Sequence, residues 1–171
     1  MNAALENILT RNSVRSFEKR PVEEEVLKQV MQAAVSAPTA MNRQTFEFVV
    51  IENPDVIAEL AKEVGKVIGN EAYNFYEPAA LVLAANDRES RHGEADCTCA
   101  MENILLAAHA LGLGAVWIDQ LRGNSDVPGI RALLTRFGLP EKDIVWGTVA
   151  MGYPAAPGTP QERTAKVHYV R

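Results

Sequence analysis

Apolar and polar positions along the chain alternate between two periods, and the period changes mark the elements. Leu5, Ile8 and Leu9 share one face of a short helix over 3–9, whereas 11–17 has no helical period and predicts an extended segment. A second helix is predicted over 23–35, with Pro21 just before it and Glu23, Glu24 and Glu25 in its first turn, where the helix dipole favours anions. Its buried stripe is Val26, Leu27, Val30, Met31 and Ala34, and Pro38 stops it. A strand follows over 46–51, Asn53-Pro54 breaks it, and 55–69 is a helix with Val56, Ile57, Leu60, Val64 and Val67 turned inward. The run Leu81-Val82-Leu83 within a strand over 80–85 has no polar alternation, which fits a strand buried on both faces.

The helix over 96–111 has a different pattern. Ala100, Met101, Ile104, Leu105, Leu106, Ala107, Ala108, Ala110 and Leu111 surround its axis, so burial on all sides is expected. A domain this small has little room for that, and a symmetric dimer built partly on this helix is the expected remedy. Gly112 and Gly114 end it. A strand over 115–118, a helix over 127–137 closed by Gly138, and a strand over 144–151 complete the body. One domain spanning 1–171 is expected, with 153–171 as a tail reaching the partner subunit. Within that tail His168-Tyr169-Val170 can pair as an edge strand, and a crossing to the other chain would interlock the dimer. The fold class is α+β, a central sheet flanked by helices.

Composition narrows the function. The 171 residues carry a net charge of -5, with no basic stripe for nucleic acid. Arg11, Arg15, Lys19 and Arg20 crowd near the N-terminus, enough for one phosphate and not for a long polyanion. The longest apolar run, 104–113, contains His109 and is too short for a bilayer; with no signal-peptide pattern at the start, a cytoplasmic location and no membrane partner are expected. Cys97 and Cys99 point to different sides of one helix and read as packing residues, not a disulfide or metal pair. His92, His109 and His168 have no metal spacing, and His109 reads as a hydrogen-bonded core or interface residue. With no G-x-S-x-G elbow, no G-x-G-x-x-G after a strand and no metal site, any difficult chemistry falls to a bound cofactor.

Three segments could hold one. In the extended stretch Arg11-Asn12-Ser13-Val14-Arg15, residues 11, 13 and 15 point the same way, setting two guanidinium groups about a hydroxyl as a phosphate and polyol require. The junction Pro38-Thr39-Ala40-Met41-Asn42-Arg43-Gln44 is small and carboxamide-rich, suited to the approach of a planar ring. Gly112-Leu113-Gly114 brings backbone close to a neighbour just before Trp117, Ile118 and Asp119.

In order and separation these segments resemble the nitroreductase family. The R-x-S-x-R stretch with a following aromatic is Arg11 to Phe17. The P-S-x-x-N-x-Q junction is Pro38 to Phe46, the A-L-G-L-G-x-x-W segment is Ala110 to Asp119, and the G-x-P turn with a later basic residue is Gly152-Tyr153-Pro154 with Arg163. The resemblance implies that the sheet is mostly antiparallel and the homodimer intertwined, with flavin mononucleotide (FMN) bound at the dimer interface, NADH or NADPH as reductant, and a small acceptor such as a nitroarene or quinone. It implies no catalytic side chain, the chemistry residing at flavin N5. Carried over, Arg11 and Arg163 hold the phosphate, Asn12 and Ser13 bond the phosphate or ribityl chain, and Arg15 lies near the N1 and C2-carbonyl edge. Pro38, Thr39, Ala40, Met41 and Asn42 of the other chain line the ring with Gln44 close by, and the backbone of Trp117, Ile118 and Asp119 faces N5.

The departures from the pattern are Thr39 for serine, Thr45-Phe46 for P-W, and Asn74 and Gln161 at positions that are usually basic, which implies weaker FMN binding than in larger relatives. The same site could serve dehalogenation or enone reduction, or belong to a non-catalytic flavin-binding or redox-sensing protein.

Overall fold

In a computed structural model, which describes residues 2–171, four strands hydrogen-bond in the order β1-β2-β4-β3. They are β1 (Glu47–Ile51), β2 (Ala80–Asp87), β3 (Gly114–Ile118) and β4 (Asp143–Gly152), and every neighbouring pair is antiparallel. The helices are α1 (Ala3–Thr10), α2 (Glu24–Val35), α3 (Pro54–Ile68), α4 (Gly93–Ala110) and α5 (Pro128–Arg136). None of them is long and apolar enough to cross a membrane.

The unbroken apolar run of β2 has the predicted consequence. Leu81, Leu83 and Ala85 pack with Ile57, Leu60 and Val64 of α3 and with Ile130 and Leu134 of α5. Ala80, Val82 and Ala84 turn to the other face, against Leu27 and Val30 of α2 and Met101 and Ile104 of α4. The result is a sheet between two helical layers. Each fully buried Leu, Val or Ile contributes about 1.5–3 kcal/mol to holding it together.

Local signals set the element ends. Asn53 caps α3 by accepting from the amides of Asp55 (2.9 Å) and Val56 (3.4 Å), and Pro54 occupies the first helical turn, where its missing N–H costs nothing. At β3, the amide of Val14 donates to the Ala115 carbonyl at 3.1 Å. A Cβ on Gly114 would come within 2.6 Å of Val14 Cγ1, so the glycine permits the extended 11–17 segment to lie against this strand.

Three features bear on these expectations: the first and third concern surfaces a second copy would cover, and the second, at Cys99, is a correction. Within the chain α4 is not buried on all sides: Cys99, Glu102 and Ala110 are exposed, and Leu106 and Ala107 are half-buried. The chain's own α1 lies on part of that face. Asn7 Nδ2 donates to the Leu106 carbonyl at 3.0 Å, and Thr10 Oγ1 bonds His109 Nε2 at 2.9 Å. The uncovered apolar surface is thereby passed to α1, where Leu5, Ile8 and Leu9 are 54%, 50% and 68% exposed. Second, Cys99 is exposed and packs nothing, whereas Cys97 is buried and burial, aided by Asp96 and Asp143, pushes its thiol up to about 12. Third, 168–170 pairs with no strand of its own chain, and Tyr169 and Val170 are exposed.

Candidate active site

The extended segment after α1 and the tail after β4 meet. The Glu18 amide donates to the Tyr153 carbonyl (2.8 Å) and the Ala155 amide to the Ser16 carbonyl (2.9 Å), so the two segments run side by side past the end of the sheet. Between them lies a cavity of about 650 Å³ lined by Arg11, Asn12, Ser13, Arg15 and Ser16 from one end of the chain and by Ala156, Pro157, Gly158, Thr159, Gln161 and Arg163 from the other. Three arginines line it and no carboxylate does. In a chain of net charge -5 this is a local reversal of sign. Arg11 Nε lies 4.0 Å from Glu102 Oε1 of α4, at the outer limit of an ion pair.

The structure thus brings five of the expected residues, Arg11, Asn12, Ser13, Arg15 and Arg163, to one cavity. The expected cofactor phosphate fits this donor set, since guanidinium groups and hydroxyls are donors a phosphate accepts from. Sequence reading missed Gly158. A Cβ there would fall on Asn12 Oδ1 and 2.6 Å from the Ser13 carbonyl oxygen, so only glycine lets the tail approach this closely. A glycine within a proline-rich tail was the available signal.

The ring segment lies elsewhere. Residues 38–44 do not line the arginine cavity. Ala40–Asn42 forms one 3₁₀ turn, and Met41, Asn42 and Gln44 all hold left-handed backbone at φ 55°, 52° and 50°. Such conformations cost on the order of 1 kcal/mol each for side-chain-bearing residues, so something must hold them. Thr39 Oγ1 accepts from the Gln44 amide (3.0 Å), Asn42 Oδ1 accepts from Gln44 Nε2 (3.0 Å), and Asp96 Oδ1 accepts from the Ala40 amide (2.9 Å). Met41 is 70% exposed, and Pro38, Asn42 and Gln44 are exposed beside it.

Trp117 and Ile118 end β3 and Asp119 follows. Ile118 is buried, and Trp117 Nε1 donates to Asp119 Oδ1 at 3.3 Å. Arg122 pairs with Glu94 of α4 at 2.5 Å, so this cation is committed. Asn74 falls outside the arginine cavity. It lines a larger cavity of about 1040 Å³ with Tyr73, Glu77 and the α3 residues Ile57, Ala61 and Lys62. Its side-chain oxygen accepts from the Tyr76 amide at 3.0 Å, and Phe75, Tyr76 and Glu77 continue as a left-handed turn.

An antiparallel sheet between two helical layers places this chain in the α+β class, with the fold of solved nitroreductases. The chain belongs to the nitroreductase family, whose family model ("Nitroreductase family") matches residues 8–153. A protein of Archaeoglobus fulgidus named as an NADH dehydrogenase/NAD(P)H nitroreductase is 32% identical, over 90% of this chain and 87% of that protein. A protein of the same name from Methanothermobacter thermautotrophicus is 35% identical over 91% of this chain and 80% of that protein. Among solved structures, a nitroreductase from Bacteroides fragilis with bound FMN superposes with a TM-score of 0.94 at 32% identity, covering 100% of both chains.

Proposed function

We propose that this chain is a homodimeric FMN-dependent NAD(P)H oxidoreductase whose two sites each draw on both copies. The observation that carries the reading is the cavity in which both ends of the polypeptide contribute arginines and no acid intrudes. When bound, FMN would supply two-electron redox chemistry between a nicotinamide and a nitroarene, quinone or similar small acceptor. The chain's own residues bind and orient. Arg11 and Arg163 neutralise the phosphate, Asn12 and Ser13 bond the phosphate or the polyol, and Arg15 sets a positive charge at the pyrimidine edge, where it favours acceptance of electrons. The 38–44 segment of the second copy covers the ring, and backbone at 117–119 faces the reacting edge. No side chain acts as nucleophile or as general acid, so the protein's contribution is orientation and electrostatics.

The tail extends this reading. Val167, Tyr169 and Val170 are 70%, 80% and 98% exposed, an unfavourable arrangement for apolar residues with nothing to cover them. Strand β1 pairs only with β2 and leaves an open edge. Pairing of 168–170 with an edge of the second copy satisfies both, and the tail then locks the dimer.

An absorption spectrum of the purified protein followed by anaerobic titration with NADH and with NADPH tests the function. Flavin bands that bleach stoichiometrically with a nicotinamide and recover on adding a nitroarene or quinone are expected. A colourless protein that cannot be reconstituted with FMN overturns the reading.

A further inference from the structure

The segment that the reading above assigns to the ring is held at one point by a residue that has no part in the reading so far. Residues 39–44 are rich in internal hydrogen bonds: the Asn42 amide to the Thr39 carbonyl (2.9 Å), the Arg43 amide to the Ala40 carbonyl (3.2 Å), and the two contacts of Gln44 with Thr39 and Asn42. These fix the shape of the loop but not its place on the domain. From Thr39 to Gln44, the one hydrogen bond among the described residues that joins this loop to another element runs from the Ala40 amide to Asp96 Oδ1 at 2.9 Å. Asp96 is 6% exposed, in the first turn of α4, and this is the one hydrogen bond its side chain makes among the described residues.

A buried carboxylate is costly unless it is hydrogen-bonded and electrostatically supported. Here the support is the N-terminal end of an 18-residue helix, where the aligned peptide dipoles favour negative charge. An apolar residue would fill the same volume without that cost, so the packing of α4 alone does not call for a carboxylate. The amide it accepts from lies immediately before Met41 and Asn42, the first two left-handed residues of the loop. Anchoring the chain there ties the start of the strained turn to the rigid central helix.

We infer that Asp96 is a positioning residue for the flavin ring: it fixes the Ala40 amide and with it the strained 41–44 loop in the orientation that meets the ring of the other subunit's cofactor. The proposal rests on the functional reading above, but its structural half does not require flavin. Asp96 touches neither cofactor nor substrate in this account and acts only through the loop.

The test compares Asp96→Ala, Asp96→Asn and Ile104→Ala, the last a buried α4 residue two helical turns away that reports global destabilisation alone. Amide exchange over 38–46 is followed by mass spectrometry in the flavin-free protein. FMN affinity, kcat and KM for the nicotinamide are followed in the reconstituted holoenzyme. Asp96→Ala is expected to speed exchange at 38–46 tenfold or more, to weaken FMN binding tenfold, and to lower kcat more than it raises KM. Asp96→Asn, whose amide oxygen can still accept from Ala40, is expected to recover most of both. Ile104→Ala is expected to lower Tm while leaving the 38–46 peptide as protected, relative to the rest of the domain, as in the wild type. Unchanged exchange in Asp96→Ala overturns the anchoring. Faster exchange with unaltered FMN affinity and kcat overturns the link to the ring. Parallel losses in Asp96→Ala and Ile104→Ala, or no rescue by Asn, also overturn the assignment. A wild-type protein that never binds FMN sinks the functional reading instead, and is distinguished because the exchange arm is read without flavin.

Discussion

The arginine cavity and the 38–44 loop are built in opposite ways. The cavity is complete within one chain, since both of its walls come from the same protomer and its charge is already concentrated there. The loop is strained, exposed and internally bonded, and it does not line the arginine cavity of its own chain. A phosphate needs only donors, which one polypeptide can gather. A planar ring needs two opposed walls, and in the proposed dimer the second wall comes from the other copy. On the proposed function, one protomer holds two half-sites that belong to different whole sites.

The largest effect is expected at the charged half. Arg11→Ala removes a charge-assisted hydrogen bond worth about 1.5–3 kcal/mol, so FMN affinity should fall roughly tenfold to a hundredfold, with Tm of the flavin-free dimer unchanged because Arg11 supports no core packing. Fluorescence titration with FMN checks this, and wild-type affinity would remove Arg11 from the phosphate. A smaller effect is expected at the uncovered face of α1. Changing Ile8 and Leu9 together to Asp should shift the protein toward monomer in analytical ultracentrifugation, by about 1–3 kcal/mol for each apolar side chain no longer buried. The monomer should keep weak affinity for inorganic phosphate while losing FMN, and a monomer that binds FMN normally would break the contrast between the halves.

Gln161 sharpens the same contrast in the gaining direction. It lines the cavity without charge, and Gln161→Lys should tighten FMN several-fold with a steeper salt dependence. Unchanged affinity at low salt would show that the tail does not approach the phosphate there. The smallest expected effect concerns acid stability away from both halves. Two hydrogen bonds from Arg88, at 2.7 and 2.9 Å, hold the Asp126 carboxyl below the usual carboxylate range. Because the folded value is depressed, its stabilisation is present above the unfolded pKa of about 3.9 and is lost as pH falls through the folded value. For so exposed a pair it amounts to less than about 1 kcal/mol. Asp126→Asn should lower Tm slightly at neutral pH and make the acid-side decline shallower in a thermal melt series from pH 6 to pH 2.5.

Much of the fold was legible because its signals are local. The unbroken Leu81-Val82-Leu83 run marked a central strand, Pro54 and Asn53 marked a helix start, and a sheet flanked by helices followed from the order of elements, whereas its antiparallel pairing came with the family resemblance. Of the site, the spacing of Arg11, Ser13 and Arg15 marked one wall of the cavity, and the family resemblance supplied Arg163 opposite it. What stayed hidden depends on distant partners. Nothing in the residues of α4 shows that the chain's own α1 folds back and covers part of its apolar surface. Nothing adjacent to Asp96 shows that its carboxylate meets an amide 56 positions earlier, and a lone Asn74 does not reveal whether its amide is spent on a turn of its own backbone.

The claim that the two halves of a site come from different copies can be tested by mixing. Arg11→Ala disables the phosphate half, and Met41→Pro disables the ring half, since proline cannot adopt the left-handed backbone at φ 55°. Assayed with FMN held well below the weakened dissociation constant of Arg11→Ala, each variant alone should show almost no NAD(P)H oxidation with a quinone. After dissociation and random reassociation of equal amounts, half of the dimers are mixed and each mixed dimer carries one intact site, so activity should return to about a quarter of the wild-type value. Two inactive variants that stay inactive together, while forming mixed dimers, would place both halves on one chain and contradict the account.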